Sequence, residues 1–192
     1  MDVEESAALL RRAKAGSREA MDLLYGRIGG KLLGLIRLRM GSGLRANLES
    51  RDILQAVMLR SFQRIERLER SDTGSLMAWL ARIAENEIRD RADFHARQRR
   101  DAARNVPLEE GADVAASVRS ALSQAIWDER AECLERALET LDAGHREVIL
   151  LRKFEELGFR EIGKRMGKTE DASRMQFARA MAALTLAMGG LP

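Results

Sequence analysis

The sequence predicts an all-α fold of two small helical domains joined by a flexible linker, the C-terminal one a helix-turn-helix. Aromatic residues make up only 4% of the 192 residues and prolines number two, whereas hydrophobic residues reach 45%. That composition favours packed helices over sheet. Apolar residues recur at three- and four-residue steps on both sides of a central segment that lacks this periodicity, which predicts two separate helical units.

The N-terminal half predicts four helices. The first covers residues 3–15 and ends at Gly16, and Ser17 caps the second through its hydroxyl. The glycine-rich stretch GSG at 41–43 ends that second helix. The third runs over about residues 49–69 and carries an apolar stripe at helical spacing, formed by Leu54, Val57, Met58, Phe62, Ile65 and Leu68.

The fourth helix begins near Ser75, after the loop RSDTGS, and Trp79 lies on its buried side with Leu76, Leu80, Ile83, Ala84 and Ile88. Periodicity fails past residue 100, in a stretch that holds the only internal proline and an acidic cluster. A structureless segment of about 20 residues is uncommon inside one compact domain. We therefore expect domains at residues 1–100 and 125–192, with a linker over 101–124.

Helical periodicity returns over residues 125–141, 144–156, 159–167 and 170–188. Gly163 lies where the last two helices must cross closely, and Gly167 can take the positive φ of a tight turn. Thr169 is a suitable N-cap for the last helix. The inward positions of that helix are Ser173, Phe177, Ala180 and Leu184. Two short helices joined in this way form a helix-turn-helix, whose second helix lies in the DNA major groove.

The outward side of the last helix carries the residues expected to meet DNA. Residues 146–181 hold nine Lys/Arg and six Asp/Glu, a local excess of three cations that suits phosphate contact. The exposed positions are Lys168, Asp171, Arg174, Met175, Ala178 and Arg179. The alternative is an ordinary helical hairpin with a solvated charged face.

A polar stripe follows the fourth helix at three- and four-residue steps: Arg82, Asn86, Arg89, Asp93, Arg97 and Arg100. Residues 95–104 carry four arginines and one aspartate, which suits a phosphate backbone. The amide of Asn86 is able to read a base edge. A solvated, salt-bridged helix face is the equal alternative from charge alone.

The third helix has a second polar side, where Asp52, Gln55 and Leu59 lie opposite the core residues. An exposed leucine beside a polar pair is typical of a protein-docking surface. Single exposed leucines are also common on ordinary surfaces, and that reading is the more frequent one.

Enzymatic and membrane functions find no support in the sequence. It has no P-loop, no glycine-rich dinucleotide turn and no metal-ligand cluster, so we expect no catalytic residues, no metal and no cofactor. Cys133 stands alone, so there is no internal disulfide, and we expect a small buried thiol rather than a reactive one. No apolar run approaches the roughly 20 residues of a bilayer crossing, and the acidic start lacks a signal-peptide pattern. We expect a cytoplasmic protein with no membrane insertion.

Four segments in order resemble the extracytoplasmic-function (ECF) class of bacterial RNA polymerase sigma factors. LLRRAKAGSREAMDLLYGRI is similar to the opening segment of that family, and RDILQAVMLRSFQRI to its polymerase-binding helix. SLMAWLARIAENEIRD resembles the promoter-melting helix. The stretch from LERALETLDAGHREV to MQFARAMAAL resembles the C-terminal module. The resemblance covers nearly everything except the linker.

The resemblance implies partners and a role for each surface. Asp52, Gln55 and Leu59 would dock on the clamp helices of the largest subunit of core RNA polymerase, and the C-terminal module would meet the flap of the second-largest subunit. Promoter DNA would be read at two elements. The minus-ten set is Ser71, Asp72, Thr73, Asn86, Arg89, Arg97 and Arg100; the minus-thirty-five set is Lys168, Thr169, Arg174, Met175, Ala178 and Arg179. An anti-sigma factor is a further candidate partner.

The sequence departs from the family pattern in its helix-turn-helix. Ser173 replaces a β-branched apolar residue, which predicts looser packing of the recognition helix. Met175 and Ala178 offer few hydrogen bonds, which favours methyl contacts or DNA shape in the reading of bases. Gln176 replaces a basic residue and Gly163 an alanine. A stand-alone helix-turn-helix regulator remains the alternative function.

Overall fold

The computed structural model describes residues 3–68, 73–104 and 129–189. Within these ranges the ordered elements are helical and no strand occurs, so the prediction of an all-α fold is confirmed. None of the helices in the described ranges combines the length and apolar character that a bilayer crossing needs.

The N-terminal module consists of four α-helices and a 3-10 turn. Helix α1 covers Val3–Lys14, and α2 covers Arg18–Arg45. Helix α3 covers Ser50–Phe62 and is followed by the 3-10 turn Ile65–Arg67. Helix α4 covers Thr73–Arg104, so it extends four residues into the segment predicted as linker. Residues 105–128 lie outside the described ranges, and the domain boundaries stay a prediction.

Local interactions at Ser17 and Gly41 determine where α2 begins and where it bends. The Ser17 hydroxyl accepts a hydrogen bond from the backbone N–H of Ala20 at 3.3 Å, as the sequence predicted. The glycines at 41–43 do not end the helix. Gly41 instead takes φ 65° and ψ 166°, which breaks the helix axis, and helical turns resume as far as Arg45. Glycine permits this kink because it has no Cβ to clash at positive φ.

Helix α3 is shorter than predicted, and one residue of its stripe is wrongly placed. It ends at Phe62, and Phe62 is 47% exposed rather than part of the core. Ile65 in the 3-10 turn and Leu68 directly after it are buried, as the stripe predicted. Val57 is buried, as the stripe predicted.

The C-terminal module matches the predicted helices to within a few residues, and residues 125–128 of its first predicted helix lie outside the described ranges. Helix α5 covers Glu129–Thr140, α6 covers Ala143–Ile149, α7 covers Phe159–Met166 and α8 covers Glu170–Gly189. The end of the helix predicted over 144–156 is a π-helical turn, Leu150–Phe154. Leu150 and Leu151 are buried in this turn, and Glu156 after it adopts a left-handed φ of 61°.

The two modules touch in this structure. Helix α2 contacts α5 and the π-helical turn, and buried apolar residues of both modules join into one cluster. The sequence predicted two bodies joined by a linker and contained no sign of this contact.

Candidate nucleic-acid and protein-docking surfaces

The helix-turn-helix of α7 and α8 depends on close backbone approach at Gly163. A Cβ added there would lie 2.6 Å from the Lys168 carbonyl oxygen, so the predicted need for a small residue is confirmed. Gly167 takes φ 67° in the turn, and the Thr169 hydroxyl accepts from the Ala172 N–H at 3.1 Å. These three residues fix the angle at which α8 leaves the turn.

The outward face of α8 is the one that the sequence predicted. Asp171, Arg174, Met175 and Ala178 are exposed, whereas Ser173, Ala180 and Leu184 are buried and Phe177 is partly buried. The Ser173 hydroxyl donates to the Thr169 carbonyl at 2.9 Å, so this polar atom is satisfied within the core. Helix α8 therefore presents a mixed surface of methyl and methionine groups beside two arginines.

The arginines on this face lie on opposite flanks. Arg174 pairs with Glu170 at 3.1 Å and stacks over the Phe159 ring at 5.1 Å, so its guanidinium is held toward α7. Arg179 lines a depression on the other flank, together with His145, Lys168, Thr169, Met175 and Gln176. The structure thus brings four predicted residues together, Lys168, Thr169, Met175 and Arg179, with Arg174 to one side of them.

His145 was not assigned to DNA contact by the sequence, yet it lines the same depression as Lys168. The carboxylate of Asp142 caps α6 by accepting from the His145 backbone N–H at 2.9 Å. That hydrogen bond, with the nearby imidazole, lowers the pKa of Asp142 below its ordinary value. The only sequence feature that could have placed His145 here is Asp142, three residues before it at the start of a helix.

The polar stripe of α4 is confirmed as one exposed face. Arg82, Asn86, Arg89, Asp93 and Arg97 are all exposed, and Leu76, Leu80 and Ala84 are buried on the opposite side. Ser71 and Asp72 lie outside the described residues, as do the side chains of Thr73 and Arg100. Trp79 is partly buried and lines an open groove between α4 and α7.

A buried carboxylate holds α4 against α3. Glu87 is 4% exposed; one oxygen lies 2.8 Å from Arg60 on α3 and the other 2.9 Å from Arg91 on α4. The pairing neutralises a charge that would otherwise be costly to bury. Glu87 lies one position beyond Asn86, and nothing in the sequence distinguishes it from a surface carboxylate.

The predicted docking surface on α3 is exposed and larger than expected. Asp52 and Gln55 are exposed, Leu59 is 61% exposed, and Phe62 extends the surface by a further turn. Beside it, Gln55 and Leu54 border a groove floored by the glycines of α2. Polar groups beside two large exposed apolar side chains suit a protein partner.

Metal chemistry has no support in the described ranges. No group of three or more His, Cys, Asp or Glu side chains is arranged there to hold an ion. Cys133 is partly buried on α5 and has no disulfide partner.

Comparison with known proteins identifies both modules. Residues 24–101 match the family described as Sigma-70 region 2, and residues 131–184 match Sigma-70, region 4. The chain is 28% identical over 182 residues to the ECF RNA polymerase sigma factor SigD of Mycobacterium tuberculosis, covering 94% of this chain and 82% of the relative. It is 25% identical over 188 residues to the RNA polymerase sigma-H factor of Pseudomonas aeruginosa, covering 96% and 94%.

The fold is also similar to a solved one. The structure of CnrH in complex with the cytosolic domain of CnrY superposes with a TM-score of 0.55 at 21% identity, covering 98% of this chain and 99% of that one.

Proposed function

Because the chain belongs to the sigma-70 family, in its extracytoplasmic-function class, we propose that it binds core RNA polymerase and directs transcription from promoters that carry minus-ten and minus-thirty-five elements. The observation that carries this proposal is the presence in one chain of two exposed DNA-suited helices, α4 and α8, on different modules. The protein supplies recognition and melting, with no reaction of its own.

Helix α8 reads the minus-thirty-five element. Met175 and Ala178 lie at the centre of its exposed face and contact thymine methyl groups or sense groove shape. Lys168 and Arg179 line the flanking depression and hold phosphates. Arg174 reaches the groove from the other flank, where Phe159 and Glu170 orient its guanidinium.

Helix α4 opens and holds the minus-ten element. Asn86, one turn beyond Arg82, captures an extruded base together with Thr73, the first residue of α4, and with Ser71 and Asp72, which precede it in the sequence. Arg89 and Arg97 lie one and three turns further along the same exposed face and, with Arg100, grip the adjoining phosphates. Extruding a base costs a few kcal/mol, which the capture pocket must offset.

The exposed side of α3 docks on the clamp helices of the polymerase's largest subunit. Asp52 and Gln55 set orientation through polar contacts, and Leu59 supplies apolar area. The C-terminal module meets the flap of the second-largest subunit. An anti-sigma factor is a candidate regulator of both modules.

Run-off transcription tests the proposal. Purified chain is added to bacterial core polymerase with a genomic promoter library, and the transcript starts are sequenced. We expect starts downstream of a shared pair of elements, and none with core alone. A chain that binds promoter DNA in the absence of core and yields no starts with core is a stand-alone regulator, and the proposal is then wrong.

A further inference from the structure

An uncharged side chain on α8 holds a lysine of the turn. The amide oxygen of Gln176 accepts a hydrogen bond from the Lys168 ammonium, eight positions earlier in the sequence. The amide nitrogen of Gln176 lies against α6, where a Cβ added at Gly144 would come within 2.9 Å of it. Gln176 thus bridges α6 and the turn, and it brings the charge of Lys168 onto the surface of α8.

A carboxylate orients the imidazole of His145 on α6. The Nδ1 atom of His145 lies 2.6 Å from one oxygen of Asp142, and the other oxygen accepts the backbone N–H of His145. This backbone hydrogen bond is the main reason that the pKa of Asp142 lies below its ordinary value, so the carboxylate is ionised near neutral pH. A carboxylate acceptor fixes the hydrogen of the imidazole on Nδ1 and leaves Nε2 as the nitrogen that can meet a ligand.

The two oriented side chains line one open depression of about 770 Å³, together with Arg179 of α8. His145, Lys168 and Arg179 belong to three different elements, and none of the described residues that line the depression is acidic. Donors on several sides without a lining carboxylate favour an oxyanion. Met175, which lies on the exposed face of α8, also lines the depression, so an anion held there lies beside the surface that faces DNA.

A phosphate in the depression requires a hydrogen on Nε2 of His145. Phosphate oxygens accept hydrogen bonds, and Asp142 already takes the hydrogen of Nδ1. Both ring nitrogens carry a hydrogen only in the imidazolium form, so a neutral ring takes up a proton when it binds phosphate. The charges that face the ring are Asp142 on α6, with Lys168 and Arg179 across the depression. A bound phosphate adds negative charge to this set and favours the protonated ring.

We propose that His145 is a third phosphate ligand of the surface that reads the minus-thirty-five element, beside Lys168 and Arg179. Gln176 and Asp142 are positioning residues, the first for the lysine and the second for the imidazole. The ligand is a phosphodiester group of the DNA backbone. The inference rests on the proposed function, and it extends the DNA contact from the helix-turn-helix to α6.

Proton uptake tests the role of His145. Holoenzyme assembled from core polymerase and the full chain is titrated onto a labelled duplex that carries only the minus-thirty-five element, at about pH 6 and about pH 8, where histidine changes charge. We expect wild type to bind about threefold to tenfold more tightly at the lower pH, and His145→Gln to lose most of this difference. His95→Gln is the matched control, because His95 is the only other histidine of the chain. The same pH dependence in wild type and His145→Gln overturns the role of His145.

The salt dependence of the same binding constant counts the phosphate contacts. Lys168→Ala should lower the slope of log affinity against log salt by about 1, equally on matched and scrambled elements, because phosphate contacts carry no sequence information. Arg136→Ala, an exposed arginine on α5, is the control. An unchanged slope in Lys168→Ala would remove Lys168 from the site.

Exchange of the bridging pair tests the positioning role of Gln176. The double variant Lys168→Gln with Gln176→Lys keeps an ammonium beside a glutamine amide in the depression, so it should recover the wild-type slope. Gln176→Ala alone should lower the affinity, because Lys168 then loses the group that holds it. A slope that stays low in the exchanged variant, or full affinity in Gln176→Ala, overturns the positioning role.

Inorganic phosphate separates a DNA site from a site for a small anion. The free chain is titrated with inorganic phosphate while the imidazole signals are followed by NMR, and we expect no saturable binding at millimolar concentrations. Saturable binding that His145→Gln abolishes, with DNA affinity unchanged in that variant, would assign the depression to a free anion and overturn the DNA contact. If wild-type holoenzyme does not bind the duplex at either pH, the proposed function itself is wrong.

Discussion

Arg39 on α2 and Glu155 after the π-helical turn form an ion pair at 2.8 Å across 116 positions of sequence. Glu155 is fully buried, and its other oxygen lies 2.6 Å from Arg165. Two guanidinium groups from different helices thus partly compensate the burial of this carboxylate, although burial still raises the pKa of Glu155. The contact joins the two modules close to where Arg165 of α7 pairs with Glu85 of α4.

Arg39→Ala is expected to lower the free energy of unfolding by about 3 kcal/mol, because it leaves the buried Glu155 carboxylate with only one of its two arginine partners. Thermal unfolding followed by circular dichroism should show a lower midpoint. Arg12→Ala removes the exposed pair with Glu19 and should cost less than about 1 kcal/mol. Equal unfolding temperatures for Arg39→Ala and Arg12→Ala would contradict a stabilising role for the buried Arg39–Glu155 pair.

Gly163→Val should destabilise the C-terminal module by about 1–3 kcal/mol, since its side chain would press on the backbone of the turn at Lys168 and Thr169. Urea unfolding measures the loss. Gly26→Val is the matched control, because a Cβ at Gly26 meets nothing within 4 Å. If Gly163→Val lowers the free energy of unfolding no more than Gly26→Val does, the backbone of the turn accommodates the added side chain.

Tyr25 is the only tyrosine of the chain, so its ionisation can be followed directly by tyrosinate absorbance. Burial raises its pKa above 10.0, with the hydrogen bond to Ser61 acting in the opposite direction. The neutral form is therefore favoured by folding, and its contribution to stability is complete below pH 10.0 and is lost as the pH rises through the folded-state pKa. We expect the titration midpoint to fall toward 10.0 when urea unfolds the chain.

The same tyrosine gives a stability test. The Tyr25 hydroxyl donates to the Met58 carbonyl at 3.3 Å and lies 2.6 Å from the Ser61 hydroxyl. Tyr25→Phe should cost about 1 kcal/mol near neutral pH and remove the alkaline loss contributed by this group. An unchanged alkaline loss in the variant would assign that loss to other groups.

Arg174→Ala should weaken promoter binding by about 1–3 kcal/mol if Arg174 contacts a base, with the loss confined to promoters that keep the minus-thirty-five sequence. Fluorescence anisotropy of the holoenzyme on matched and scrambled elements separates base contact from phosphate contact. Arg136→Ala, an exposed arginine on α5, is the control. If the Arg174→Ala and wild-type holoenzymes bind the promoter with the same affinity, Arg174 does not contact the DNA.

Asp52→Ala combined with Gln55→Ala should reduce affinity for core polymerase while leaving the helical circular dichroism unchanged, because both side chains are exposed. Adding Leu59→Ser should cost more than the polar pair alone, as expected of an apolar side chain at the centre of an interface. Gln63→Ala, exposed just beyond α3, is the control. Undiminished association in a pull-down would place the polymerase contact elsewhere.

The sequence determined the local features of this protein. Gly167 in the turn, Thr169 and Ser17 as caps, and the exposed face of α4 all follow from interactions within a few residues, where helical spacing and backbone sterics suffice. Phe62 was wrongly placed because the buried stripe of α3 runs through Ile53, Val57 and Ser61. Helical spacing shows which residues share a face, but not which of two adjacent stripes meets the core.

Only the tertiary structure decided what each face meets. Glu87, Glu135 and Glu155 have the same sequence pattern as surface carboxylates, yet all three are buried, with their arginine partners brought to them by folding. Arg37 and Glu135 are 98 positions apart, and Arg39 and Glu155 are 116 apart. Periodicity fixes the side of one helix and carries no information about the distant helix that packs there, so the joining of the two modules was settled by three-dimensional packing and charge.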